Sequence, residues 1–354
     1  MSRDLEGRNV ADARLRLTSS MTPSTSSLPR IRVLATGGTI AGAQTSGSRS
    51  YQAAAFSIEA LIGAVPQLAA LARLEVEQVA ALGSQDMDET VWLKLAARTR
   101  AALAEPEIAA VVITHGTDTM EETGYFLNLV VGSTKPVVLV GAMRPATEIS
   151  ADGPMNLYNA IAVAANPESA GRGVLVVAND EIHFAREVSK TNTTQVGTFK
   201  ATHRGLAGLV HAGRLHLYAP PVRRHTTGSE FSTNPATALP KVDIVYAYAG
   251  MGRELIEAAV RSGAKGLVVA GVGDGNLNVA ALSACAAAAR AGVAIVRSSR
   301  TGGGVVERNI EIKDDELGFI ASDELNPQKA RVLLMLGLSR TADPVALQAM
   351  FFTY

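Results

Sequence analysis

Cysteine is almost missing from this chain: Cys285 is the single one among 354 residues. No intrachain disulfide can form. The alanine-rich helical pattern at 282–287 suits a buried small hydrophobe, and no basic neighbour is at hand to favour a thiolate. Tryptophan also occurs once, and no basic stripe with interleaved aromatics exists, which weighs against nucleic-acid binding. Neither sign of charge is in excess, with 33 Lys+Arg against 33 Asp+Glu, so nothing draws the protein to an anionic membrane surface. Apolar runs are short. None approaches a membrane span, and residues 1–30, polar and rich in Ser, Thr and Arg, hold no apolar run of signal-peptide length. These residues are expected to form a disordered leader, with Met21 as an alternative start, and the chain is expected to be cytoplasmic. The histidines at 115, 183, 203, 211, 216 and 225 show no metal-ligand spacing. No metal and no organic cofactor are expected. There is no Walker-type phosphate loop, no Gly-x-Ser-x-Gly elbow and no complete dinucleotide fingerprint; the glycines at 37–42 and 271–275 miss the required spacing.

What is present is a large apolar reserve. Apolar residues make up 47% and charged residues 19%, enough for packed cores, and the length suits two domains. Near-continuous apolar runs at 31–35, 109–114, 136–141, 173–178, 242–247, 266–270 and 293–297 read as strands buried on both faces. Between them, 58–73, 89–103, 121–130, 156–165, 254–262, 279–291 and 327–338 carry apolar residues at helical spacing. Ser57 reads as a cap for the first helix, and Asn326 with Pro327 starts the last. Strand and helix alternate, which predicts an α/β fold of two domains with mostly parallel sheets, the N-terminal one larger and the C-terminal one smaller. The proline-punctuated stretch at 218–240 reads as a linker between a catalytic domain at 31–217 and a second domain at 241–354. Sites in such sheets lie beyond the carboxyl ends of the strands.

Two stretches stand at such ends: ATGGTIAG at 35–42 and ITHGTDTME at 113–121. Each places a threonine hydroxyl, Thr39 or Thr117, just after a strand. Convergence of the two would suit nucleophilic attack on a bound carbonyl. The competing reading makes Thr39 a helix cap in a phosphate-binding turn, His115 a structural histidine, and Glu121 and Glu122 acids that complement a helix dipole. Lys190, in the uncharged stretch SKTNTT, is a surface lysine if alone, and a base or the orienter of one if Thr117 and Asp118 lie beside it.

These residues carry a resemblance. The two stretches, together with GSQDM at 83–87, GAMRP at 141–145, SADGP at 150–154, KTNT at 190–193, RSSR at 297–300 and LNPQKAR at 325–331, occur in the order found in bacterial L-asparaginases, particularly type II, over residues 31–354. The resemblance implies hydrolysis of L-asparagine to L-aspartate and ammonia without a cofactor, with L-glutamine as a weaker substrate. It implies Thr39 as nucleophile and Tyr51, within a lid at 44–52, as its activator. Thr117, Asp118 and Lys190 match a second catalytic triad. Ser84, Gln85 and Asp118 match the residues that hold the α-carboxylate and α-ammonium groups, and Ala142 a carbonyl contacting the side-chain amide. Asn276 and Glu311 match residues supplied by a neighbouring subunit, within a homotetramer built as a dimer of dimers. Periplasmic members often carry a signal peptide and a disulfide; Glu105 and Ser133 stand at the two cysteine positions here, and a different native start would leave the periplasm open. Rival readings are a glutaminase-asparaginase of broad specificity, a nucleotide-binding module, and a catalytically silent amino-acid-binding protein on the same fold.

Overall fold

The computed structural model describes residues 28–38, 40, 42–44, 51–52, 57–218 and 220–354, with 43, 44, 51 and 52 as backbone. The leader expected at 1–30 therefore lies almost wholly outside the described residues. The first half runs β1 (Arg30–Gly37), β2 (Ala43–Gln44), β3 (Tyr51–Gln52), α1 (Ile58–Gly63), β4 (Arg73–Leu82), α2 (Glu89–Ala104), β5 (Ile108–Thr114), α3 (Met120–Val130), β6 (Val137–Val140), α4 (Gly153–Ala165) and β7 (Val174–Ala178). Then come β8 (Glu181–Phe184), β9 (Val188–Lys190), β10 (Phe199–Ala201), β11 (Gly208–His211), β12 (Arg214–Leu217) and α5 (Glu230–Thr233). The last third holds β13 (Val242–Tyr246), α6 (Glu254–Arg261), β14 (Gly266–Gly271), α7 (Val279–Arg290), β15 (Ala294–Ser299), α8 (Asp314–Leu317), β16 (Phe319–Ala321), α9 (Pro327–Leu338) and α10 (Pro344–Thr353).

An eight-stranded sheet has the order β12-β11-β8-β7-β6-β5-β1-β4. Its β4 to β7 part is parallel, and β8, β11 and β12 add antiparallel pairs at one edge. Alternation along each central strand divides the side chains between two cores. Ile31, Val33, Ala110, Val112, Val138, Val140, Leu175 and Val177 face α1 and α4. Leu34, Val111, Ile113, Val137, Leu139, Val174 and Val176 face α2 and α3. A second sheet, β13-β14-β15-β16, is parallel throughout. One face packs on α6 and α7, with the Cys285 side chain fully buried there.

Its other face joins the larger core through α9 and α10. Val268, Val296 and Ile320 share one apolar cluster with Leu333, Leu336, Phe351, Phe126 and Trp92. Trp92 stacks on Phe126 at 5.3 Å. Arg331 of α9 lies 5.9 Å over the Trp92 ring, reaches Glu89 at 2.6 Å, and donates to the Val242 carbonyl at 2.8 Å. The stretch at 218–240 contributes to this packing. It holds a short helical turn at Thr226–Gly228 and the helix α5, and buries Phe231 against Tyr354.

Three differences from the sequence expectation have physical causes. The helix expected at 58–73 stops at Gly63; Pro66 opens a tighter 3-10 turn, and Arg73 already begins β4. The strand β4 carries no apolar signature because it is an edge strand of mixed polarity: Glu75 pairs with Arg30 and Arg32, and Glu77 with Arg98. The helix α10 is apolar almost all round and lacks an amphipathic stripe, its caps coming from Asp343 Oδ1 and Oδ2.

Candidate active site

The loops that follow β4, β1, β5 and β6, four neighbours in the sheet, meet at their carboxyl ends. Gly38 and Gly116 pack backbone to backbone. A Cβ on Gly38 would stand 2.3 Å from the Gly116 nitrogen, and the left-handed φ of +84° is itself costly for other residues. The chain immediately before Thr39 thus abuts the chain immediately before Thr117. Thr39 lies outside the described residues. Tyr51 is placed only by its backbone, in β3 paired with Gln44 of β2; its side chain lies outside them as well.

The second hydroxyl is placed fully. Thr117 is buried, and its Oγ1 accepts from Lys190 Nζ at 2.9 Å. The same Nζ donates to Asp118 Oδ1 at 2.6 Å. Lys190 is therefore no lone surface lysine. It arrives from β9, which among the described residues pairs only with β10, outside the large sheet. The Asp118 side chain is 59% exposed, leaving its second oxygen open to a ligand. Ser84, in the turn after β4, is buried and braces this loop: its Oγ accepts from the Asp118 amide at 3.2 Å, and its carbonyl accepts from Thr119 Oγ1 at 2.7 Å. Gly116 must lack a side chain here, because a Cβ would meet Ser84 Oγ at 2.6 Å. Gln85 is exposed beside Ser84 and folds back over Gly83, its Nε2 3.3 Å from Asp86 Oδ2.

His115 is buried and donates from Nδ1 to the Gly116 carbonyl at 2.7 Å. Burial lowers its pKa to about 4, so it stays neutral and structural. Glu121 and Glu122 do open α3, yet Glu121 is buried with Oε2 unpartnered, and burial raises Glu122 to about 7 against the opposing pull of Arg331. Ala142, buried after β6, sits in a loop held by a residue the sequence reading assigned no role. Asp152 precedes Gly153 and Pro154 and looks like a helix cap. Its carboxylate instead accepts from the amides of Met143 at 3.0 Å and Arg144 at 2.9 Å, and from Asn156 Nδ2 at 3.0 Å. Among the described residues no cluster of His, Cys, Asp or Glu suits a metal ion.

Asn276 and Glu311 belong to the smaller unit. Asn276 is half-buried and bridges to Val272, with amide–carbonyl bonds of 2.8 and 3.0 Å; Glu311 is exposed in a loop before α8. Both loops hang on one buried guanidinium. Arg297 forks onto Asp314 at 2.6 and 2.7 Å, and donates to the carbonyls of Asp274 at 3.1 Å, Gly275 at 3.3 Å and Glu307 at 2.9 Å. The two loops are thereby one rigid surface, and within this chain neither residue contacts Thr117, Asp118 or Lys190 by a hydrogen bond or ion pair.

Two family models match the chain in tandem: "Asparaginase, N-terminal" over residues 30–223 and "Glutaminase/Asparaginase C-terminal domain" over 241–351. L-asparaginase 2 of Bacillus subtilis is 50% identical over 329 residues, covering 92% of this chain and 87% of the relative. L-asparaginase 2 of Escherichia coli is 49% identical over 328 residues, covering 92% and 94%. Glutaminase-asparaginase of Pseudomonas fluorescens is 43% identical over 330 residues, covering 92% and 91%. With both units matched in order and half the residues shared with two relatives, this chain belongs to the asparaginase family.

Proposed function

We propose that the protein is an L-asparaginase, an amidohydrolase that converts L-asparagine and water to L-aspartate and ammonia, with L-glutamine as a slower substrate. The observation that carries this is Lys190 Nζ held between Thr117 Oγ1 and Asp118 Oδ1, at the mouth of four converging strand ends. A hydroxyl has one proton to give and two lone pairs to receive. Thr117, already accepting from Lys190, is left to donate toward a departing amine. In our reading Thr39, activated by Tyr51, adds through its hydroxyl oxygen to the amide carbon. The tetrahedral oxyanion collapses, the C–N bond breaks, and ammonia leaves with the proton the hydroxyl lost. Water then cleaves the acyl-threonine ester and restores Thr39. The second Asp118 oxygen takes the α-ammonium group. Ser84 Oγ, which accepts from the Asp118 amide, keeps its own O–H for the α-carboxylate; Gln85 joins it, and the Ala142 carbonyl receives the side-chain amide.

The preference for asparagine rests on one methylene, typically worth about 1–3 kcal/mol, and the glutaminase-asparaginase relative at 43% identity fits a measurable second activity. We further propose a homotetramer in which Asn276 and Glu311 complete a neighbour's site, since neither bonds to Thr117, Asp118 or Lys190 of its own chain. The domain limits we favour are 31–217 and 241–354, joined through 218–240. We place the protein in the cytoplasm, a reducing compartment suited to a chain with one buried thiol; a Haemophilus influenzae relative at 50% identity is named as periplasmic, and fractionation of the source cells separates the two.

The test is ammonia release with asparagine and glutamine side by side, for the parent, Thr39→Ala, Thr117→Val and Lys190→Met. Turnover of asparagine exceeding that of glutamine is expected, together with losses of about 10³-fold or more in the variants. A parent without amidase activity refutes the function. Near-parental Thr117→Val confines the chemistry to Thr39.

A further inference from the structure

Lys190 carries the proposed chemistry from a strand that the large sheet does not register. Its partner β10 fixes it only along one side, through the pairs Phe199–Lys190, Lys200–Ser189 and Ala201–Val188. The other restraint comes from the smaller unit. Lys329, in the first turn of α9, is buried, and its Nζ donates to the carbonyls of Arg186 at 2.7 Å and of Val188. Asn326, the cap of the same helix, donates from Nδ2 to Ser189 Oγ at 3.1 Å while its Oδ1 accepts from the Lys329 amide at 3.0 Å. Three contacts, at Arg186, Val188 and Ser189, thus grip the segment that ends in Lys190. The Lys329 ammonium is also drawn toward Glu121, whose Oε2 is buried and unpartnered in the first turn of α3, just beyond Thr117 and Asp118.

We propose that Lys329, with Asn326, is a positioning residue of the catalytic site, setting from the C-terminal unit the place at which Lys190 Nζ meets Thr117 and Asp118. The inference rests on the catalytic reading of Lys190. A buried ammonium is an expensive way to fill space: burial lowers its pKa to about 8 against the opposing pull of Glu121 and Glu187, and an apolar side chain of equal length would avoid that cost. What Met would lack is the pair of donors aimed at the two backbone carbonyls leading into Lys190. Small displacements at a reacting group are costly in rate, on the order of 10²-fold for 1 Å.

The experiment compares purified Lys329→Met, Ser189→Ala and Lys190→Met with the parent, normalised to folded protein, over a pH series. For Lys329→Met, kcat for asparagine is expected to fall about 10-fold or more. KM should stay within about twofold, because Ser84, Gln85 and Asp118 stand on other segments. The acid limb of the pH–rate profile should move by about half a pH unit or more, since Lys190 no longer faces Asp118 as before; a mere loss of folded protein scales the profile without moving it. Parental kcat and an unmoved limb would overturn the inference. If Lys329→Met does not fold, Ser189→Ala decides: a kcat reduced about two- to fivefold with a shifted limb supports it, and a parental profile overturns it. Lys190→Met with parental turnover would overturn the catalytic reading itself and this inference with it, whereas an inactive Lys190→Met beside a parental Lys329→Met removes the positioning role alone.

Discussion

Replacing Arg297 with Met should be among the most damaging single changes in the molecule. The side chain is 2% exposed and its partner Asp314 is fully buried. The guanidinium makes two bonds to the carboxylate and three to backbone carbonyls. Removing it leaves the Asp314 carboxylate, among the described residues, with the Asn309 backbone amide at 2.9 Å as its remaining donor. An uncompensated buried charge of this kind costs about 3–5 kcal/mol, and each orphaned carbonyl adds to the loss at about 1 kcal/mol. The double variant Arg297→Met/Asp314→Leu should recover most of the charge penalty but not the carbonyl part, because no donor replaces the fork. Urea midpoints followed by far-UV circular dichroism measure both, and KM for asparagine should rise as the Asn276 loop loosens. A single variant within about 1 kcal/mol of the parent would refute the argument, as would a double variant less stable than the single one.

Other outcomes follow from particular groups. His115 and His183 are buried and held near pKa 4 by desolvation. The unfolded chain binds their protons first, so stability should be full above about pH 6.5 and fall toward pH 4, by about 3 kcal/mol for each; a flat melting temperature over that range would contradict this. Glu122 runs the other way. Its raised pKa of about 7 makes its stabilising contribution fade as pH climbs from the ordinary glutamate value, so Glu122→Gln should raise the melting temperature at pH 8 and leave it unchanged at pH 4. Gly116→Ala should cut kcat/KM by at least about 10-fold, because the new methyl displaces Ser84 from the Asp118 amide; a crystal structure with Ser84 unmoved and activity retained would disprove it.

The central strands were legible because burial on both faces leaves an unbroken apolar signature, as in 109–114 and 173–178. The charged edge strand β4 has no such signature, and neither do the short strands β8 to β12, whose pairing is decided by tertiary packing. The two threonine-bearing loops were legible as strand ends. The meeting of Lys190 with Thr117 was legible only through the family resemblance, because 73 residues separate them and the strand that brings Lys190 home is steered by α9, still further along the chain. The role of Asp152 was not legible, because only the fold turns its carboxylate onto the amides of the neighbouring loop.

Cys285 has a use that chemistry did not select. Its thiol is fully buried among the side chains of the smaller unit, and burial pushes its pKa up to about 12, so the folded protein offers an alkylating reagent neither access nor thiolate. As the single thiol in the sequence, it makes labelling under native conditions an unambiguous clock. The rate of modification reads the frequency with which the smaller unit opens, from a single mass shift and with no engineered probe.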